Sequence, residues 1–357
     1  MSKILLSLIS LLLFINCSPE SNSDTTTTEN LYFPPTTGSN WETKSISDLE
    51  WKQEAVQPLL DYLELKNTKS FMILVNGRIV LENYFNGHSA TTNWYWASAG
   101  KTLTATLTGI AEQEGYININ NKVSDYIGTG WTSETVAKEN LITSKHLLTM
   151  TSGIEDIANG DDVAPSSLTY KADAGTRWAY HNVYVKLQDV IAQATGQSWN
   201  NYFNSKLRDK IGMNGTWLPL DNNIVYFSNT RSMARFGLLM LNKGKWKDNT
   251  VLNESFFNAA TSTSQNINLG YGYLWWLNGK SSYHLPQTQL QFSGSIIPNG
   301  PNDMFMALGK NDQKIYVIPS KKMVVIRMGE AANTVNPSFA LSGFDNELWQ
   351  KINALYE

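Results

Sequence analysis

The chain has 357 residues, enough for one large domain or two lobes on a shared core, since single hydrophobic cores stop growing at roughly 250–300 residues. Apolar residues make up 42% and charged residues only 17%, below the roughly 25% of average soluble chains. With 28 Lys and Arg against 31 Asp and Glu, the net charge is −3 and there is no basic stripe, so neither nucleic acid nor an anionic lipid surface is suggested as a direct partner.

The first 17 residues carry one Lys, an apolar run from Ile4 to Ile15, and Cys17, the only cysteine in the chain. The run is too short to span a membrane and fits the apolar region of a secretory signal peptide. A cysteine closing such a run resembles a bacterial lipoprotein signal, which implies a lipidated Cys17, export, and a membrane contact made only through that anchor. Residues 18–40 begin with the polar, low-complexity SPESNSDTTTTEN and are expected to be a disordered tether. One cysteine allows no intramolecular disulfide, so the core alone must hold the fold.

Globular sequence is expected from Trp41. Val56, Leu59, Leu60 and Leu63 recur at helical spacing between 53 and 65, and in FMILVNGRIVLENYF Asn76-Gly77 separates two β-rich runs, a strong hairpin signal. Near the other end, MFMALG, KIYVI and MVVIRM read as three strands, followed by a helix from about 345 to 355. Helical patterns dominate between, at 103–111, 144–150, 184–194, 199–210 and 230–242. The expected fold is α+β: an antiparallel sheet flanked by terminal helices (about 41–95 and 265–357), with a mostly helical lobe (about 96–264) inserted in its middle.

In WYWASAGKTLTATL, Ser98 opens an apolar helix and Lys101 follows three residues on, so both share one helix face. A serine hydroxyl is a poor nucleophile until a neighbour takes its proton, and a lysine serves only if desolvation keeps its amine neutral. The helix start adds N–H donors where an oxyanion would develop. By itself a Ser-x-x-Lys is weak, and an N-cap serine followed by a surface lysine is its ordinary meaning. This one is the only such motif in the chain and follows a hairpin. GTRWAYHN at 175–182 supplies a second element: Tyr180 to move a proton, and Asn182 to hold Lys101 and the substrate.

Ser98-Ala-Gly-Lys101, LITSKHLLTMTSGI at 141–154 and GTRWAYHN, in that order and spacing, resemble the penicillin-recognising serine hydrolases in their class C β-lactamase, DD-peptidase and esterase branch. The likeness extends over about 41–357 and implies a β-lactamase/transpeptidase-like fold. It also implies an acyl-enzyme on Ser98, with Lys101 and Tyr180 as the base and acid pair. No cofactor is implied. The substrate would be a small-molecule or peptide-like amide or ester. The family's Lys-Thr-Gly or His-Thr-Gly strand is missing. Its place is taken by ALGKNDQ, 307–313, similar to the Gly-x-x-Gly-Gln variant of esterases and 6-aminohexanoate-oligomer hydrolases. Gly309, Lys310 and Asn311 are thus expected at the substrate and oxyanion, and a true class C β-lactamase is the less favoured reading.

His181, where the family usually has Ser, and Trp275 are expected to border the cleft. His88, His146, His181 and His284 are scattered without acidic partners at ligand spacing, which argues against a metal site. The absence of Gly-x-Ser-x-Gly disfavours an α/β-hydrolase. The rival from another class is a tethered module that binds penicillin or peptides without turnover.

Overall fold

The computed structural model describes residues 30–158, 160–220, 223–333 and 343–357. The expected signal peptide, Cys17 and most of the tether lie outside the described residues.

Asn76 and Gly77 take φ of 50° and 79°, the paired left-handed conformations of a type I′ turn. They join β1 (Thr68–Val75) to β2 (Arg78–Tyr84). A β-carbon on Gly77 would lie 1.9 Å from the Tyr32 carbonyl oxygen, so close packing demands glycine here as well as φ. Tyr32 reaches this turn because the chain packs from residue 31 onward, ahead of Trp41. Its N–H donates to the Asn76 carbonyl, Phe33 is buried edge-on against Trp246, and the Pro35 carbonyl accepts from Arg235. The tether expectation for 31–40 is corrected accordingly: aromatic and proline residues directly after the polar run give it surface to bury.

The three C-terminal strands form where the apolar runs placed them: β7 (Phe305–Gly309), β8 (Gln313–Ile318) and β9 (Met323–Gly329). With β6 (Trp276–Leu277) they complete a six-stranded antiparallel sheet in the order β2-β1-β9-β8-β7-β6. Every residue of β7, β8 and β9 is buried, which is why these strands read as continuous apolar runs and not as alternation.

Helices cover both faces. α1 (Val56–Leu65) and α5 (Gly343–Asn353) meet through stacked Tyr62 and Phe344, and Trp349 packs edge-on against Tyr316 of β8. α4 (Thr230–Leu241) lies on the other face, so close that a β-carbon on Gly237 would come within 2.5 Å of Val324. α4 had been expected within the inserted lobe; its buried stripe instead caps the sheet. α2 (Lys101–Gln113) runs through the interior, buried along its first eleven residues. α3 (Lys186–Thr195) packs beside it.

A second departure from the helical reading of 96–264 is a hairpin, β4 (Thr216–Leu220) and β5 (Asn223–Ser228), which pairs with β3 (Trp94–Tyr95). Pro219 interrupts the alternation that would have revealed it, and Pro is tolerated because it lies on the edge strand β4.

Candidate active site

Ser98 lies in a 3-10 turn, Ala97–Gly100, that feeds directly into α2 at Lys101. Ala97 adopts φ of 48°, a left-handed conformation that costs an L-residue about 1–2 kcal/mol and is held by its surroundings. The turn is pinned from outside: the Trp96 N–H donates to the Tyr226 carbonyl, and the buried Trp96 indole to Ser228. The hairpin missed in the sequence therefore braces the Ser98 turn.

Lys101 Nζ is 2.9 Å from Ser98 Oγ, the contact anticipated from their spacing. The lysine is 4% exposed and its ammonium lies over the rings of Tyr180 (4.8 Å) and Tyr184 (4.6 Å). Two effects oppose each other there. Desolvation disfavours the charged amine, while cation–π contact favours it by about 0.5–2 kcal/mol. Desolvation wins, bringing the amine down to about 8 despite the favourable charge of Asp161. A neutral amine is thus accessible near neutrality, and the same contact then runs from the serine O–H to nitrogen.

Burial pushes the Tyr180 phenol up, against the lowering influence of the Ser98 hydroxyl, so that it stays protonated. Its ring is wedged against Trp276, stacked at 5.6 Å, and edge-on against Tyr271. Trp275, expected at the cleft, is instead fully buried between Phe236 and Phe305. Adjacent residues of a strand point to opposite faces, so only Trp276 can back the tyrosine.

Asn182 lines the same cavity, but among the described residues it makes no hydrogen bond to Lys101. Its Nδ2 donates to the Asp161 carbonyl at 3.3 Å and to Asn223 on the hairpin. The expectation that it holds the lysine is corrected: Asn182 begins a 3-10 turn capped by His181, and that turn aims its amide at the opposite rim. His181 is buried and lines the cavity too.

Gly309 ends β7 against the Ser98 turn. A β-carbon there would sit 2.5 Å from the Trp96 carbonyl oxygen and 3.0 Å from the Ala99 nitrogen, so only glycine lets the strand approach. Lys310 and Asn311 follow on the cavity wall, with the Asn311 amide donating to the Tyr95 hydroxyl at 2.8 Å. From beneath, Gln313 Nε2 donates to the Asn311 and Gly329 carbonyls, and Arg327 Nη1 donates to those of Asn311 and Asp312. The Gly-Lys-Asn-Asp-Gln segment is therefore a clamped loop beside Ser98.

The resulting cavity holds about 470 Å³ and joins Ser98, Lys101, Tyr180, His181, Asn182, Lys310 and Asn311 with Tyr95, Asp156, Asp161, Tyr184 and the hairpin residues Leu220, Asn223 and Val225. Tyr184 was legible in principle, four residues after Tyr180 and inside the short turn that follows it. The acidic residues carried no local signal. Among the described residues, no helix is long and apolar enough to cross a membrane, and no group of three His, Cys, Asp or Glu could hold a metal ion.

A serine at the start of a buried helix, a lysine one turn on, and a tyrosine from an inserted segment facing them, all beside an antiparallel sheet, define the β-lactamase/transpeptidase fold class. The Beta-lactamase family model matches residues 68–334, and the chain belongs to that family. Among solved structures, it is similar to a Bacillus anthracis protein assigned as a 6-aminohexanoate-dimer hydrolase (TM-score 0.68, 19% identity, 91% of this chain and 89% of that one). A Bacteroides dorei protein assigned as a β-lactamase matches with TM-score 0.68 and 13% identity, over 85% and 98% of the two chains. A penicillin-binding protein from Bacillus halodurans matches with TM-score 0.59 and 15% identity, over 84% and 100%. No curated protein matches in sequence.

Proposed function

We propose that this chain is a serine hydrolase that cleaves an amide or ester through an acyl-enzyme on Ser98. The observation that carries this reading is the 2.9 Å contact between the Ser98 hydroxyl and a buried Lys101 amine brought down to about 8. Neutral Lys101 takes the hydroxyl proton as Ser98 Oγ attacks the carbonyl carbon. Tyr180, held protonated, donates to the leaving nitrogen or oxygen and is reprotonated through Lys101. The backbone N–H groups of Ser98 and Lys310 would receive the tetrahedral oxyanion, a role supported by the close approach of Gly309 to the Trp96 carbonyl and the Ala99 nitrogen of the Ser98 turn. Water then attacks the acyl group by the reverse sequence of proton transfers.

ALGKNDQ in place of a Lys-Thr-Gly strand favours a linear amide or ester over a β-lactam. The test is mass spectrometry after incubation with a fluorophosphonate and, separately, with a p-nitrophenyl ester, nitrocefin, a D-Ala-D-Ala peptide and a linear amide. A single adduct on the peptide containing Ser98, absent in Ser98→Ala, together with steady product release from the ester or amide, is the expected result. Labelling elsewhere would overturn the site, and one acylation without further product would favour the non-hydrolytic sensor.

We also infer, from residues 1–17 alone, that the hydrolase domain is exported and held at a bacterial membrane by lipid on Cys17. Metabolic labelling with an alkyne fatty acid should mark the wild-type chain and not Cys17→Ser. Equal labelling of both would remove the anchor.

A further inference from the structure

The hairpin that braces the Ser98 turn has two unlike faces. Strand pairing sets Tyr95 beside Phe227, Val225 beside Leu218, and Asn223 beside Leu220. Residues opposite one another on antiparallel strands share a face, and neighbours along a strand alternate. One face therefore carries Trp217 and Tyr226, both buried against Phe203. The other carries Tyr95, Phe227, Val225, Leu218 and Leu220, and no charged residue. Tyr95, Val225, Leu220 and Asn223 from that face line the cavity that holds Ser98, and no residue of the Trp217 face does.

Leu218 and Leu220 are 43% and 37% exposed. An apolar strand left open at the edge of a sheet invites aggregation, and one beside a cavity marks a binding surface. Pro219 supplies no N–H to a further strand, so an occupant lies on the face of β4 and not along its edge. The position selects that occupant. The face is continuous with the cavity wall, and β3 runs into the Ser98 turn beside Tyr226, so Leu218 on the edge strand stands two strand spacings, roughly 10 Å, from that turn. The cavity's charged residues, Lys101, Asp156, Asp161 and Lys310, all come from other elements, so this lane offers a charged group nothing. The leaving group is drawn to Tyr180, which is backed by Trp276 and Tyr271 and not by the hairpin. The acyl group stays on Ser98 Oγ through both steps.

We propose that the outer face of the β3–β5–β4 sheet is the acyl subsite, taking a neutral apolar chain across Val225 to Leu220 and Leu218, with Leu218 setting the preferred length. This deepens the hydrolase reading and rests on it for the covalent step, but the face can be read by binding alone. It narrows the substrate to esters or amides of an extended, uncharged, apolar acid.

The test is NMR titration of the full chain carrying Ser98→Ala with methyl butanoate, hexanoate and octanoate. A fully buried methylene is worth about fourfold in affinity and one lying on an open face about twofold, so octanoate should bind about tenfold or more tighter than butanoate. Adding Leu218→Ser should cut that ratio to about threefold or less. Adding Ile224→Ser, which alters a 54% exposed side chain on the opposite face of the same hairpin, should leave it intact. A terminal ammonium, in methyl 8-aminooctanoate, should erase the gain. With Ser98 present, kcat/KM for the p-nitrophenyl esters of the same three acids should rise in the same order. A flat binding series, or one that Leu218→Ser and Ile224→Ser alter equally, overturns the proposal. Sedimentation showing a dimer that Leu218→Ser dissolves would give the face to a second copy and overturn it too. Graded binding without turnover of any p-nitrophenyl ester would count against the hydrolase reading and leave the subsite standing.

Discussion

Lys101→Met should stabilise the protein while removing its activity. In the folded state the amine titrates at about 8, against 10.5 for an unperturbed lysine. Between those values the unfolded chain binds more protons than the folded one, so the lysine's contribution to stability improves as pH rises through that window. Below about 8 the full penalty applies. At roughly 1.4 kcal/mol per unit the penalty at pH 7 is about 3 kcal/mol, from which cation–π contact with Tyr180 and Tyr184 subtracts a part. Methionine fills much the same volume and carries no charge, so urea denaturation at pH 7 should show a gain on the order of 2 kcal/mol that shrinks towards pH 10. Loss of the base should lower kcat/KM by ~10²–10⁴-fold. In the wild-type protein kcat/KM should rise with pH and level off above about 8. A variant no more stable than wild type, or stabilised equally at every pH, would contradict a desolvated amine.

The opposite balance is expected for Arg327→Met. Arg327 is fully buried and donates to the carbonyls of Asn311, Asp312, Lys66 and Glu330 and to the Thr68 hydroxyl. Burial pulls the guanidinium down to about 10, against the favourable charges of Asp312 and Asp345, and it remains charged at neutrality. Methionine would remove a donor from four interior carbonyls, of which only that of Asn311 keeps another in Gln313, and strip Asp312 of a neighbouring cation, a loss of about 3–5 kcal/mol. Because two of those carbonyls belong to the loop beside Ser98, kcat should fall by about tenfold or more even well below the denaturation midpoint. Arg327→Lys should not restore it, since a single ammonium cannot reproduce the planar fork. Urea denaturation and ester kinetics on the two variants check this. A loss of stability under about 1 kcal/mol would mean that other groups hold the loop.

Much of this architecture was legible because its signals are local. Asn76-Gly77 needs two positive φ values, and the three C-terminal strands are apolar runs of strand length. Ser98 and Lys101 meet through the rise of one helical turn, which any sequence with that spacing would share. What escaped was set by packing across the chain. Trp275 and Trp276 are indistinguishable as letters, and only the pleat sends one into the core and the other behind Tyr180. Asn182 sits where the motif predicts, but its partner is decided by the β4–β5 hairpin, whose own alternation Pro219 disguises. Asp156 reads as one more acidic loop residue until Arg177 is seen to hold it on the cavity wall.

The sheet also sets an order of events during synthesis. Ser98, Lys101 and Tyr180 leave the ribosome early, but the loop that faces them is fastened by Arg327, whose partner Thr68 lies 259 positions away. Closing a loop of that length costs about 5 kcal/mol of chain entropy before any contact offsets it. β1, paired with β2 on one side, therefore waits with its other edge open until β9 is made, and Ser98 is translated long before its neighbouring loop is fastened. A chain cut short before Arg327 holds Ser98, Lys101 and Tyr180 without the clamp, so the loop beside Ser98 is fastened only once β9 is made.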